Sequence, residues 1–211
     1  MKVLLGTTNP SKVKRFSDLL EGYEIEFVTL KDLAITDEPE ETGATPEENA
    51  VAKAKFYGRY FDVVICNDSG LYFEELALDD VRQPGLNIRT PMQRDRLSDE
   101  EMIDYYSKLI GELGGKVSAY YLDGIAVYNH GKIYSFMDAD AARKTGSFYM
   151  IEKASGKRFE GWPLDSLSIN KENGKYFVDG SIGESKENII KDQYERSVVE
   201  FLVTSLNAVV K

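Results

Sequence analysis

The sequence holds one cysteine, one histidine and one tryptophan in 211 residues, with 26 Lys and Arg against 36 Asp and Glu. Each shortage excludes something. A single thiol, Cys66, rules out an internal disulfide framework and a cysteine-built metal site. The single imidazole, His130, rules out a His-rich zinc site. It lies in Tyr128-Asn129-His130-Gly131-Lys132, which reads as a hairpin turn, so a Ser-His-Asp triad is not expected either. The net charge of −10 argues against long nucleic acid as a partner, because gripping its phosphates takes a basic face. No apolar run reaches membrane-spanning length, so no membrane partner is expected. The apolar stretch in residues 1–10 is too short for a signal-peptide core and reads as a first strand; with cysteine so scarce, a cytoplasmic protein is expected. Acid–base chemistry is left to carboxylates, lysines or metal-activated water.

What is present builds a core. An apolar fraction of 42%, with 13 Tyr and 10 Phe, belongs to a folded globule. Lys2–Leu5 reads as a strand. Asn9 and Pro10 then supply an N-cap and a first-turn proline for a helix carrying Val13, Phe16, Leu19 and Leu20. A second strand follows, then a second helix opened by Thr45-Pro46-Glu47-Glu48, read as a capping box. Next is the strand Asp62–Cys66, expected to end in a turn at Asn67-Asp68-Ser69-Gly70. Strand, helix, strand, helix, strand is an α/β pattern, and ligands of such sheets collect beyond the C-terminal strand ends. Ser98 and Glu101 cap a third helix. Residues 116–142 read as consecutive strands, and residues 193–210 as a closing helix with Val198, Val199, Phe201, Leu202 and Leu206 on its apolar side.

Three stretches carry candidate chemistry. Thr7, Thr8, Asn9 and Ser11 stand at a strand-to-helix turn, where free N–H groups and the helix dipole favour anions, and Lys12 lies in the first turn. The alternative, which spacing alone favours, is an ordinary N-cap with a solvated lysine. Glu41 precedes the second helix and Lys53 falls two turns into it; they suit a metal and a phosphate, or plain charged decoration. Asp68 at a strand end suits Mg²⁺ or a general base, with Ser69 and Gly70 facing a phosphate; an Asx turn is the alternative.

The order of these motifs resembles the inosine triphosphate pyrophosphatase family. The residues concerned are Thr7-Thr8-Asn9-Pro10-Ser11-Lys12, Glu41-Thr42-Gly43, Glu48-Asn49-Ala50 with Lys53-Ala54, Asp68-Ser69-Gly70-Leu71, and Pro84-Gly85. The resemblance implies an α/β fold: a mixed, elongated β-sheet flanked by helices, in two lobes with a central cleft. On this reading residues 1–211 form a single pyrophosphatase-like domain. Its phosphate- and metal-binding lobe covers roughly residues 1–90 and 185–211, and its second lobe, with antiparallel strands, roughly 91–184. The resemblance also implies a homodimer and Mg²⁺-dependent hydrolysis of a non-canonical nucleoside triphosphate (ITP, dITP or XTP) to monophosphate and pyrophosphate. Carried over residue by residue, Glu41 and Asp68 hold the metal and Asp68 also activates water. Thr7, Thr8, Asn9, Lys12, Lys53, Ser69 and Arg89 hold the phosphates.

The C-terminal half departs from the family pattern. The base-binding loop has its counterpart in Gly161-Trp162-Pro163-Leu164-Asp165-Ser166, where Trp162 either stacks on a base or fills core. The S-H-R motif becomes Tyr194-Glu195-Arg196, and the usual acid of the first helix is Arg15. Trp162, Asp165, Glu195 and Arg196 are the expected base-side residues. An ionised Glu195 only accepts hydrogen bonds, so altered base selection is expected. A non-catalytic nucleotide-binding protein on the same scaffold is the alternative.

Overall fold

The structure is a computed structural model that describes residues 1–93, 95–159, 162–179 and 186–210, with the side chains of 93, 145 and 186–192 left aside. Gly161, in the expected base loop, lies outside the described residues. In chain order the main elements are β1 Lys2–Leu5, α1 Pro10–Leu19, β2 Glu26–Thr29, α2 Pro46–Tyr57, β3 Val63–Phe73 and α3 Asp99–Glu112. They continue with β4 Lys116–Asn129, β5 Lys132–Phe136, α4 Ala139–Gly146, β6 Phe148–Ile151, β7 Ser168–Ile169 and α5 Lys186–Leu206. The seven strands form one mixed sheet of order β2-β1-β3-β4-β6-β7, with β5 paired to β4. β1 runs parallel to β2 and β3, whereas β5 and β6 pair antiparallel with β4.

Helix starts follow the local chemistry. Asn9 Oδ1 accepts from Ser11 N at 2.9 Å and Pro10 opens α1. Thr45 Oγ1 accepts from Glu48 N at 3.1 Å, but the Glu48 carboxylate accepts from Ala44 N at 2.7 Å, so the capping box closes one residue early. Ser98 and Glu101 make the full reciprocal box on α3. His130 and Gly131, both at positive φ, turn β4 into β5 in the two-residue manner of a primed hairpin turn.

Two expectations are corrected. β3 does not stop at Asn67–Gly70; it runs through to Phe73. The polar residues gain partners from other elements, and beyond them the Gln83 side chain imitates a paired strand. Its Oε1 accepts from Phe73 N at 2.7 Å, and its Nε2 donates to Phe73 O at 3.0 Å. The strands expected up to residue 142 end at Phe136, and Ala139–Gly146 is helical. Asp140 in its first turn and Arg143 and Lys144 in its last complement the helix dipole.

The chain groups into two compact units. Unit 1 comprises Met1–Ser69, Asp123–Asp138 and Lys191–Lys211; unit 2 comprises Gly70–Leu122 and Ala139–Ile190. Unit 1 buries apolar side chains on both faces of its sheet. Val3, Leu5, Phe16, Ile65, Ile125, Val198 and Leu202 pack on the face bearing α1 and α5, and Leu4, Ala50, Ala54, Tyr57, Val64 and Cys66 on the face bearing α2. Unit 2 centres on Phe73, Tyr106, Ile110, Val117, Met150 and Leu167. Among the described residues no helix is long and apolar enough to cross a membrane.

Candidate active site

Strand alternation decides the site. Successive side chains of β3 point to opposite faces, and their contacts show which. Cys66 packs on the α2 side and Ile65 on the α1/α5 side. Asp68 therefore meets α2, while Asn67 and Ser69 face the other way.

On the α2 face, Asp68 is buried, and both its oxygens are engaged. Oδ2 accepts from Asn49 Nδ2 at 2.9 Å, and Oδ1 from the Lys53 ammonium at 3.1 Å. The same ammonium lies 2.7 Å from Glu41 Oε1. Asn49 Oδ1 accepts from Gly43 N at 2.8 Å, which ties the Glu41-Thr42-Gly43 loop to the helix. Two carboxylates from separate segments thus converge on one largely buried cation. Burial disfavours that ammonium, but Asp68 and Glu41 outweigh burial and hold its pKa above the ordinary value. Lys12 shows the opposite balance. Burial and then the nearby Lys53 push it down, and Asp68, Asp123 and Glu41 only partly oppose this. An anionic ligand reaching Lys12 and Lys53 therefore relieves cation–cation repulsion as well as meeting opposite charge.

Among the described residues no three His, Cys, Asp or Glu side chains form a metal cage. Mg²⁺ does not need one, since it usually takes one or two carboxylates and leaves its other positions to water and substrate phosphates. Glu41 and Asp68 are hard oxygen donors already drawn toward one cation, and they fit such an ion.

On the opposite face stands a network that the motifs do not indicate. Ser69 Oγ donates to Asp123 Oδ1 at 2.6 Å, and Arg15 donates to Asp123 Oδ2 at 2.6 Å. Burial opposes the Arg15 charge, but Asp123 more than compensates and raises its pKa. Tyr194 and Glu195 also lie close enough to Arg15 to add to that field. Asn49 on the α2 face, and Arg15, Asn67 and Asp123 on the other, are residues that sequence reasoning leaves without a role. The available signal for Asp123 was a lone acid inside the apolar run Leu122-Asp123-Gly124-Ile125.

The remaining candidates are placed as follows. Thr7 Oγ1 accepts from Asn9 N at 3.2 Å, and Asn9 spends its carbonyl oxygen on the α1 cap. Thr8 and Asn9 are exposed at the end of β1. Glu195 and Arg196 line an open groove on the flank of α5 with Tyr23, Val199, Glu200 and Val203. In unit 2, Arg89 is ion-paired to Asp99 at 2.8 Å. Trp162, also in unit 2, keeps 38% of its surface exposed, so it does not fill core. Asp165 sits in the single turn Pro163–Ser166, where burial pushes its carboxyl up to about 6.

Asp165 has a consequence for stability. Its folded pKa lies above the unfolded value of about 4, so the folded protein binds more protons between those two values. Its contribution therefore weakens as pH rises through that window and is least favourable above pH 6. Because the group is partly solvated, we expect Asp165→Asn to stabilise at pH 7 by only about 1 kcal/mol. Thermal melts should show a gain of roughly 2–4 °C at pH 7 and none at pH 4. An equal gain at both would show that the carboxyl is not perturbed.

The chain is similar to known proteins in both sequence and fold. A sequence model of the Ham1 family matches residues 3–144. The dITP/XTP pyrophosphatase of Thermoanaerobacter sp. (strain X514) is 42% identical over 87 residues, covering 41% of this chain and 42% of that protein. The dITP/XTP pyrophosphatase of Bacillus subtilis (strain 168) is 41% identical over 79 residues, 36% of this chain and 39% of that protein. The chain thus matches only 42% and 39% of the length of these curated relatives. Two solved structures share the fold along nearly its whole length. The HAM1 protein from Coxiella burnetii has a TM-score of 0.71 at 20% identity, covering 97% of this chain and 99% of that one. The Staphylococcus aureus Ham1 protein has a TM-score of 0.66 at 20% identity, covering 95% and 98%. With its Lys12 turn, Glu41 loop, α2 and Asp68 strand all inside the matched segment, the chain belongs to the Ham1 family.

Proposed function

We propose that this protein is a Mg²⁺-dependent hydrolase of non-canonical nucleoside triphosphates. It would cleave ITP, dITP or XTP between the α- and β-phosphates to a monophosphate and pyrophosphate. The observation that carries the proposal is the convergence of Glu41 and Asp68 on Lys53, with Lys12 beside them. Two cations held among carboxylates suit a polyanion that must be bound tightly yet attacked by water. The relatives named dITP/XTP pyrophosphatases support the substrate class.

Glu41 and Asp68 would hold the Mg²⁺, which when bound offsets the negative charge of the triphosphate. Lys12 and Lys53 bind phosphate oxygens, with the turn at Thr7, Thr8 and Asn9 supplying further donors. Asp68 takes the proton of the attacking water. Asn49 keeps Asp68 in place and ties it to the Glu41 loop. A homodimer belongs to the same reading and is open to sedimentation analysis. Base selection is proposed to differ from the family's ordinary pattern, because Glu195 stands in the field of Arg15 rather than offering a donor.

The test is steady-state release of pyrophosphate from a panel of nucleoside triphosphates with and without Mg²⁺. We expect turnover that depends on Mg²⁺ and a preference differing from plain ITP and XTP selection. Absence of pyrophosphate from every nucleotide would leave a binding protein on this scaffold. A strong ITP and XTP preference would remove the altered selection alone.

A further inference from the structure

The Arg15–Asp123–Ser69 network has a direction, and following it leads to an unmet need. Arg15 can only donate, so Asp123 is the acceptor of that pair. Ser69 has a single proton, and it goes to Asp123. Whatever else contacts the Ser69 oxygen must therefore donate to it. The neighbour on the same face of β3 is Asn67, whose Nδ2 lies 3.4 Å away. The hydrogen-bond pattern thus fixes the amide orientation: Nδ2 toward Ser69, Oδ1 away. Oδ1 is left without a partner in a side chain whose residue is only 3% exposed. The buried Tyr194 hydroxyl lies in the same place, beside Arg15 and Asp123. Both therefore belong to one cluster. It opens to solvent through Arg15 and Asp123, whose side chains are 27% and 18% exposed.

A buried acceptor with nothing to accept calls for an explanation. An ionised phosphate does not provide one, since it has no proton to give. A neutral O–H or N–H does. We propose that Asn67, held in orientation by Arg15, Asp123 and Ser69, is a specificity-determining residue that accepts a hydrogen bond from a neutral donor on the nucleoside part of the ligand: a sugar hydroxyl, a ring N–H or an exocyclic amine. The α2 face of β3 then handles charge, and the α1/α5 face reads a donor. The proposal rests on the nucleotide reading above and adds a subsite to it. A site built around a buried acceptor discriminates strongly against an analogue that lacks the donor, because the acceptor is again left unmet.

The experiment is calorimetric titration with non-hydrolysable α,β-methylene nucleoside triphosphates in the presence of Mg²⁺. One arm compares ribose with 2′-deoxy and 3′-deoxy sugars. The other compares hypoxanthine with its N1-methyl form and with guanine. In the unaltered protein, changing one donor should alter Kd about tenfold or more. In Asn67→Leu that particular ratio should fall below about twofold while the others persist. Asn67→Asp, which retains an acceptor at the same place, should keep the discrimination if Leu fails to fold. The inference is overturned if every ratio is the same in both proteins, meaning that a water alone satisfies Asn67, or if no nucleotide binds. Discrimination through Asn67 without pyrophosphate release from any triphosphate would overturn the hydrolase reading and leave this one standing. Pyrophosphate release with unchanged ratios would do the reverse.

Discussion

Asp68→Asn is expected to lower turnover by about 10²–10⁴-fold, the range associated with losing a positioned general base. The local geometry also predicts a cost in folding. Asp68 accepts on both oxygens, from Asn49 and from Lys53. An amide at position 68 turns one of those contacts into donor against donor, and it strips Lys53 of one of its two counter-charges. Loss of activity alone therefore does not separate a missing base from a disturbed helix. The swap Asn49→Asp with Asp68→Asn does. The carboxylate placed on α2 still accepts from Gly43 N and now accepts from the amide at position 68, whose carbonyl oxygen still accepts from Lys53. The hydrogen bonds and the net charge are kept, but the carboxylate has moved from the strand to the helix. We expect the swapped protein to melt within a few degrees of the unaltered one, with turnover still depressed at least about 100-fold. Recovery of turnover in the swap would show that Asp68 serves to hold the helix and that the base lies elsewhere.

The half of the site built from local signals was legible in the sequence. Asn9 and Pro10, Thr45 and Pro46, and Ser98 with Glu101 satisfy their own helix ends within a few residues, so their roles can be read from spacing. Lys12 and Lys53 stand on two of those helices, Glu41 on the loop before the second and Asp68 on β3, and the structure brings both carboxylates into direct contact with Lys53. The misreading of Asn67-Asp68-Ser69-Gly70 as a turn has the opposite cause. A run of small polar residues reads as a turn when its partners are unknown. Here the partners are Asn49, Lys53 and Asp123, lying 19, 15 and 54 residues away. Arg15 and Asp123 are 108 residues apart, and no local pattern couples them. Asp140-Ala141-Ala142 reads as strand only because it follows β5 directly; its charges already match a short helix.

Gly124→Ala is expected to be the most disruptive single-methyl change in unit 1, and its reason was equally invisible in the sequence. A Cβ at this position of β4 would stand 2.2 Å from Glu47 N and 2.2 Å from the Pro46 carbonyl carbon. Both are backbone atoms in the first turn of α2, so no side chain can rotate away. Ordinary contact needs about 1.2–1.8 Å more, and either the helix start or the strand must yield. Overpacking of this kind costs about 1–3 kcal/mol, so the melting temperature should fall by roughly 2–12 °C. The displacement also carries function. Asn49 and Lys53 lie one and two turns along the same helix, and they hold Asp68 and Glu41. A shift of about 1 Å at reacting groups is enough for about a 100-fold loss of rate. Activity measured well below the melting temperature should therefore drop even in fully folded protein. Gly146→Ala is the control: a Cβ there meets nothing within 4 Å, and both stability and rate should be preserved. A Gly124→Ala protein with unchanged melting temperature and turnover would mean that α2 does not rest on β4 as closely as the structure shows, and the Glu41–Lys53–Asp68 arrangement would then need to be rebuilt from that contact outward.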